Sequence, residues 1–247
     1  MIKIKYKLKQ EEIIIDNLSK SWFITKDMLY IIKQYYNSTV PYHNFLHALQ
    51  VSTEVLKLNV NKFNIVEIKS LFFAALFHDA WHKWQANLLD EFRSLDIALE
   101  NLEEFEKKYD IWFIDKTIIR KAIIWTVFAK RWKFTDRFAR IMWDLDVWVI
   151  WWDFLEFCYY GFPFCYELGQ TPQEYITKTE IGYFKYLMSF DKEVLLTSEV
   201  KEILPNSLKN IKKFLNTDNK VLIEMCEVIK DEDISLEEFK KRYQNKV

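Results

Sequence analysis

The stretch Ile65-Val66-Glu67-Ile68-Lys69-Ser70-Leu71-Phe72-Phe73-Ala74-Ala75-Leu76-Phe77-His78-Asp79 decides the fold. Ile68, Leu71 and Ala75 recur at helical spacing, and the stripe runs on into His78. It predicts a buried helix that delivers a histidine and its neighbouring aspartate to one end. His82, four residues past His78, completes a pair that would share a helix face. The remaining two of the four histidines repeat this spacing in Tyr42-His43-Asn44-Phe45-Leu46-His47-Ala48. Every histidine therefore falls in one of two short motifs. Imidazoles and a carboxylate aimed at one point are what a divalent metal centre requires.

Outward from these motifs the pattern stays helical. Helices are predicted over about 25–36, 43–60, 65–79, 88–108, 115–129, 134–147, 152–160, 172–190, 206–215, 218–230 and 236–245. Ser235 followed by Glu238 reads as a capping box, and Thr171-Pro172 as a helix start. The alternating Ile2-Lys3-Ile4-Lys5-Tyr6-Lys7-Leu8-Lys9 predicts a short amphipathic strand or extended arm. The expected fold is all-α and multi-helical: an N-terminal arm over about residues 1–20, a main body over about 21–204, and charged peripheral helices of the same domain over about 205–247.

Composition narrows the function. Half the residues are apolar, enough for a sizeable core, and the net charge of -1 excludes a general nucleic-acid binder, which needs a basic surface. The most apolar stretch, Val147 to Tyr166, carries Asp153 and Glu156, so it reads as buried aromatic core and no membrane partner is expected. Cys158, Cys165 and Cys226 are odd in number and lack CxxC spacing, which suggests ordinary thiols in a reducing cytosol. With no basic-then-apolar leader at the N-terminus, a cytoplasmic location is expected.

A two-metal hydrolase holds its ions roughly 3.5–4 Å apart around a bridging water. Asp79 has two oxygens with which to bridge, while His47 and His78 each offer a single nitrogen. A further carboxylate must come from elsewhere. Asp144 and Asp146, in Met142-Trp143-Asp144-Leu145-Asp146, are the candidates, because buried carboxylates are rare unless paired or metal-bound.

Tyr42-His43-Asn44-x-x-His47-Ala48 followed by His78-Asp79-x-x-His82 resembles the HD-domain metal-dependent phosphohydrolases, and more narrowly the catalytic domain of the 3',5'-cyclic-nucleotide phosphodiesterases. Their pattern runs on through His82-Lys83-Trp84-Gln85-Ala86-Asn87 and departs only at Trp84, where the family has glycine. Glu167-Leu168-Gly169 and Lys178-Thr179-Glu180-Ile181-Gly182-Tyr183 are similar to later elements of those enzymes. The chain also resembles the small bacterial HD phosphohydrolases, through Glu91-Phe92-Arg93-Ser94 and through Asp144-Leu145-Asp146. The phosphodiesterase resemblance implies hydrolysis of a cyclic nucleotide to its 5'-monophosphate. It implies two divalent ions, zinc plus magnesium or manganese, with His47, His78, Asp79 and a late aspartate as ligands. Asp144 is the preferred late aspartate, and Asp146 is the other acid of the bacterial pattern. His43 would be the general acid and His82 would sit beside the second ion. Tyr42, Asn44, Asn87 and Glu91 would orient the ligands. Glu180 and Tyr183 would meet the base of a small-molecule nucleotide substrate, with Glu180 in place of the family's glutamine. Ionised, a carboxylate only accepts hydrogen bonds, so base preference stays open. A general HD nucleotidase or a non-catalytic regulatory module are the alternatives.

Glycine stands at 3 of 247 residues and tryptophan at 10, against an average glycine usage of about 7%. Trp84, Trp132, Trp143, Trp148 and Trp151 stand where small residues are expected. A gene whose lineage reads UGA as glycine, translated with a code that reads it as tryptophan, would give this pattern. We predict UGA codons at these positions; UGG codons there would refute the idea.

Overall fold

The computed structural model describes residues 4–83, 89–126, 136–147, 152–189, 197–203, 206–231 and 234–247. Trp84, Asn87, Trp132, Trp148 and Trp151 lie outside the described residues. Helix α4 (Ile65–Phe77) is the axis of the N-terminal half. Asn64 starts it with a capping box, accepting from the Glu67 amide while the Glu67 side chain accepts from the Asn64 amide. From Leu71 to Phe77 every side chain is fully buried. A helix apolar on all sides must be enclosed. Four helices pack against it: α3 (Phe45–Val55), α5 (Leu89–Tyr109), α6 (Lys116–Ile124) and α7 (Arg137–Asp146). Each large side chain buried there contributes about 1.5–3 kcal/mol. The helix ends at His78, so the core that seals α4 also fixes the height of the histidine.

The N-terminal arm is corrected. Ile4–Leu18 forms helix α1, and no strand occurs among the described residues. A period-two run of lysines is no strand without a partner to pair with, and Lys, Leu, Gln and Glu favour helix. Glu11, Ile15 and Leu18 recur at helical spacing and are buried. Glu11 meets Lys33 of α2 (Lys26–Lys33) at 2.5 Å, which ties the arm to the body.

The second half is built from α8 (Phe154–Gly161), α9 (Pro163–Glu167), α10 (Pro172–Glu174), a π-helical segment Tyr175–Glu180, α11 (Ile181–Ser189), α12 (Ser198–Ile203), α13 (Ser207–Asn216), α14 (Asn219–Asp231) and α15 (Leu236–Tyr243). Neither α9 nor α12 was expected from the sequence, and the π segment interrupts the helix expected over 172–190. The capping boxes at Thr171 and Ser235 are both formed. Within the apolar Val147 to Tyr166 stretch, Phe154, Leu155, Phe157, Cys158, Phe162 and Cys165 are core, and Phe157 packs its ring 5.7 Å from Phe184, which lies 4.9 Å from Phe214. The charged C-terminal helices are less peripheral than their composition suggests. Phe214, Met225, Cys226, Phe239 and Tyr243 are fully buried in the same core. Among the described residues no helix is long and apolar enough to cross a membrane.

Candidate metal centre

Three helix ends meet at the site. Asn44 organises the first. Its Oδ1 accepts from the amides of Leu46 (3.0 Å) and His47 (3.3 Å), and its Nδ2 donates to the carbonyls of Val40 and Pro41. This N-cap starts α3 between the two histidines, so His47 points from the first helical turn and His43 from the turn before it. The end of α4 supplies His78 and Asp79, and the last residue of α7 is Asp146.

One hydrogen bond sets the chemistry. His78 Nδ1 donates to the Ala75 carbonyl at 2.8 Å, which leaves Nε2 as the atom facing the site. Around Nε2 lie Asp79 Oδ2 at 3.0 Å, Asp146 Oδ1 at 3.1 Å and His47 Nε2 at 3.3 Å. His47 Nε2 is itself 3.0 Å from Asp146 Oδ1. The ligand atoms of His47, His78, Asp79 and Asp146 all lie within 4.8 Å of one another. Asp79 Oδ2 lacks the alignment of a hydrogen bond, and this buried oxygen goes without one. Two imidazole nitrogens and two carboxylate oxygens thus converge on one largely buried point, an arrangement that could hold a cation. The donor set, two nitrogens and two carboxylate oxygens, suits a divalent ion of the zinc type. In a metal-free centre a proton supplies the charge. Burial disfavours a charged His78, but Asp79 and Asp146 outweigh it and raise its pKa well above the usual histidine range. Burial lowers the His47 pKa, keeping that ring neutral. Against burial, His78 with His43 and His82 holds the Asp79 carboxyl, and His78 with His47 holds the Asp146 carboxyl, below the usual carboxylate range.

Asp146 and not Asp144 is the aspartate at this cluster, reversing the preference drawn from the sequence. Asp144 is fully buried, and its Oδ2 accepts the Thr197 amide at 2.7 Å. It fastens the end of α7 to the start of α12. Trp143, the preceding residue, is buried as well.

A second group joins Asp79 to His43 and His82. The rings of His43 and His82 stack with centroids 4.1 Å apart. Both converge on a residue that sequence reading quoted only as part of a motif, Glu167 of α9. Its Oε1 is 2.5 Å from His43 Nδ1 and 3.4 Å from His82 Nε2, while Oε2 accepts the backbone amides of Tyr42 (2.8 Å) and His43 (2.9 Å). These bonds keep Glu167 ionised well below the usual range although burial opposes it. Against its own burial, His82 is lifted to about 10 by Asp79 and Glu167. An acid inside an apolar, aromatic run was the available signal for Glu167. Tyr42 lies between these groups, its ring 4.8 Å from both His43 and His47.

The loop bearing His82 is tied to α5 by Asp90, which accepts the Lys83 amide, and by Ser94, which accepts the Trp81 amide, each at 3.0 Å. Glu91 beside them is half-buried, and burial raises its carboxyl pKa, with Asp90 and Asp79 adding to the effect. Asn87 lies outside the described residues. Glu180 and Tyr183 are not brought into either ligand group. Glu180 is buried on the π segment, hydrogen-bonded to Tyr175, and Tyr183 packs its ring 5.5 Å from Phe184.

Neither a protein-family model nor a curated protein sequence matches the chain.

Two predictions follow from the geometry. Asp146→Ala should abolish tight zinc binding, measured calorimetrically, while Asp144→Asn, which loosens the helix end alone, should cost on the order of tenfold in affinity. The reverse ranking would return the ligand role to Asp144. Burial lifts the Glu180 carboxyl from 4.5 to about 7. A folded-state pKa above the unfolded one stabilises fully below the unfolded value and is lost as pH rises through the folded value. Glu180→Gln should therefore raise stability at pH 8 by up to about 3 kcal/mol and flatten the slope between about pH 4.5 and 7, read from urea unfolding. An unchanged slope would show that Glu180 is not strained by burial.

Proposed function

We propose that the chain is a metal-dependent phosphohydrolase, with a cyclic mononucleotide as the leading substrate and the 5'-monophosphate as product. One juxtaposition carries the proposal: a cation-demanding cluster one helical turn from an acid dyad, with the His43 and His47 rings 5.7 Å apart. His47, His78, Asp79 and Asp146 would hold one divalent ion, and Asp79, which belongs to both groups, would reach a second. Such ions neutralise charge on a phosphoryl group and make a bound water nucleophilic at neutral pH.

The chain's own residues supply the rest. Glu167 fixes the His43 ring through Nδ1 and through the amides on which the residue sits. That leaves Nε2 of His43 to carry a proton to the departing ribose oxygen. His82, stacked on His43 and facing the same carboxylate oxygen, keeps a second positive group beside the reacting phosphate. Tyr42 packs its ring against His43 and His47 on one side.

A second reading has an observation of its own. Asp146 is the second acid of the bacterial HD pattern, and Glu180, buried against Tyr175, replaces the amide expected for purine recognition. Both favour a general nucleotide phosphohydrolase using the same centre. A panel of cyclic AMP, cyclic GMP and the linear mononucleotides, assayed with zinc, magnesium and manganese, separates the two. Turnover of a cyclic substrate supports the leading reading; hydrolysis of 5'-mononucleotides alone supports the second. In either case His43→Ala should keep its metal and lose roughly a hundredfold to ten-thousandfold in kcat. Full activity in that variant would remove His43 from the acid role.

A further inference from the structure

No step of the proposed hydrolysis uses Tyr36, a buried tyrosine in the turn after α2. Its hydroxyl donates to the Leu76 carbonyl at 2.8 Å. Leu76 lies in the last turn of α4, two residues before His78 and three before Asp79. The Tyr36 ring packs 5.5 Å from Phe45, the first residue of α3 and two before His47. Tyr36 therefore links the end of one ligand-bearing helix to the start of another. Burial raises its pKa well above the usual tyrosine range, and Asp79 and Asp146 add to that, so the hydroxyl keeps the proton it donates.

The bond matters because of how α4 ends. An α-helix would pair the Leu76 carbonyl with the amide four residues on, that of Ala80. Here the Ala80 amide turns back to the Phe77 carbonyl at 3.0 Å, a tighter closure over three residues. Carbonyls in the last turn of a helix need partners from outside it. The His78 ring serves the Ala75 carbonyl, and Tyr36 serves that of Leu76. Asp79 lies inside the tight turn, so the shape of the turn aims its carboxylate. That carboxylate belongs to both ligand groups. Leu76 is fully buried, and a carbonyl left there without a donor is unfavourable. Without the hydroxyl, the nearest replacement is the Ala80 amide. Its return to Leu76 would lengthen α4 and swing Asp79 off the cluster.

We propose that Tyr36 is a positioning residue of the metal centre: its hydroxyl caps Leu76 and so holds the tight turn that aims Asp79 at His78. The role rests on the reading of that cluster as a metal centre; the capped turn itself does not.

The test compares wild-type protein with Tyr36→Phe, which keeps the ring against Phe45 and removes the hydroxyl. Zinc affinity is read by competition with a chromophoric chelator, and amide NMR and urea unfolding are recorded on the metal-free proteins. Tyr36→Phe should lose on the order of tenfold to a hundredfold in zinc affinity. The Asp79 and Ala80 amide signals should move in the metal-free variant. Phe157→Leu, a core change between Phe184 and Phe214, should lose stability yet bind zinc within about twofold of wild type. Wild-type zinc affinity in Tyr36→Phe would overturn the proposal. So would an equal loss in Phe157→Leu, which would mark a general loosening of the fold. If Tyr36→Phe does not fold, the wild-type hydroxyl proton decides: slow exchange with water supports the capped turn, and free exchange overturns it. Zinc that does not bind wild-type protein would refute the metal centre. Unmoved Asp79 and Ala80 amides in Tyr36→Phe would separately refute the capped turn.

Discussion

The constraint on which the site depends is the bond from His78 Nδ1 to the Ala75 carbonyl. It fixes which nitrogen of His78 faces inward, and that nitrogen meets two carboxylates and a second imidazole in a space nearly closed to water. Without a positive charge at their centre these groups repel. Folding therefore builds a cluster that could hold a cation, and the two carboxylates favour a proton on His78 against its burial. The cost of assembling it falls on the core of α4, whose sealed apolar surface sets the position of His78.

The two halves of the molecule are joined at the His43–Glu167 pair. Glu167 belongs to the second half and His43 to the first, and one carboxylate bonds a ring and two amides across that boundary. Asp144 plays the matching part for the metal cluster by bonding the Thr197 amide and steadying the helix end that carries Asp146. Buried carboxylates thus have two tasks: some face the histidine cluster, and others aim the elements that present it.

Much of this was legible from spacing. The stripe Ile68, Leu71, Ala75, His78 marked α4 and its cargo, and the pairing of histidines marked the cluster. The cap residue Asn44 explains why the motif around it breaks between His43 and His47. Asp144 was preferred over Asp146 wrongly, because residues two apart on a helix face different ways and the sequence does not say which face is inward. Glu167 was missed as a site residue because its partners lie more than a hundred residues away, at Tyr42 and His43. The N-terminal lysines misled because alternation over so short a run fits a strand, whereas burial of Glu11, Ile15 and Leu18 is a helical matter.

The central claim is that a cation replaces a proton at the point where the four ligand atoms meet. Calorimetric titration of zinc into metal-stripped protein near pH 7, repeated in buffers of different ionisation enthalpy, counts the protons released. The account predicts tight binding with release of at least about one proton, the one held by His78. Zinc that binds without proton release, or does not bind, would contradict it.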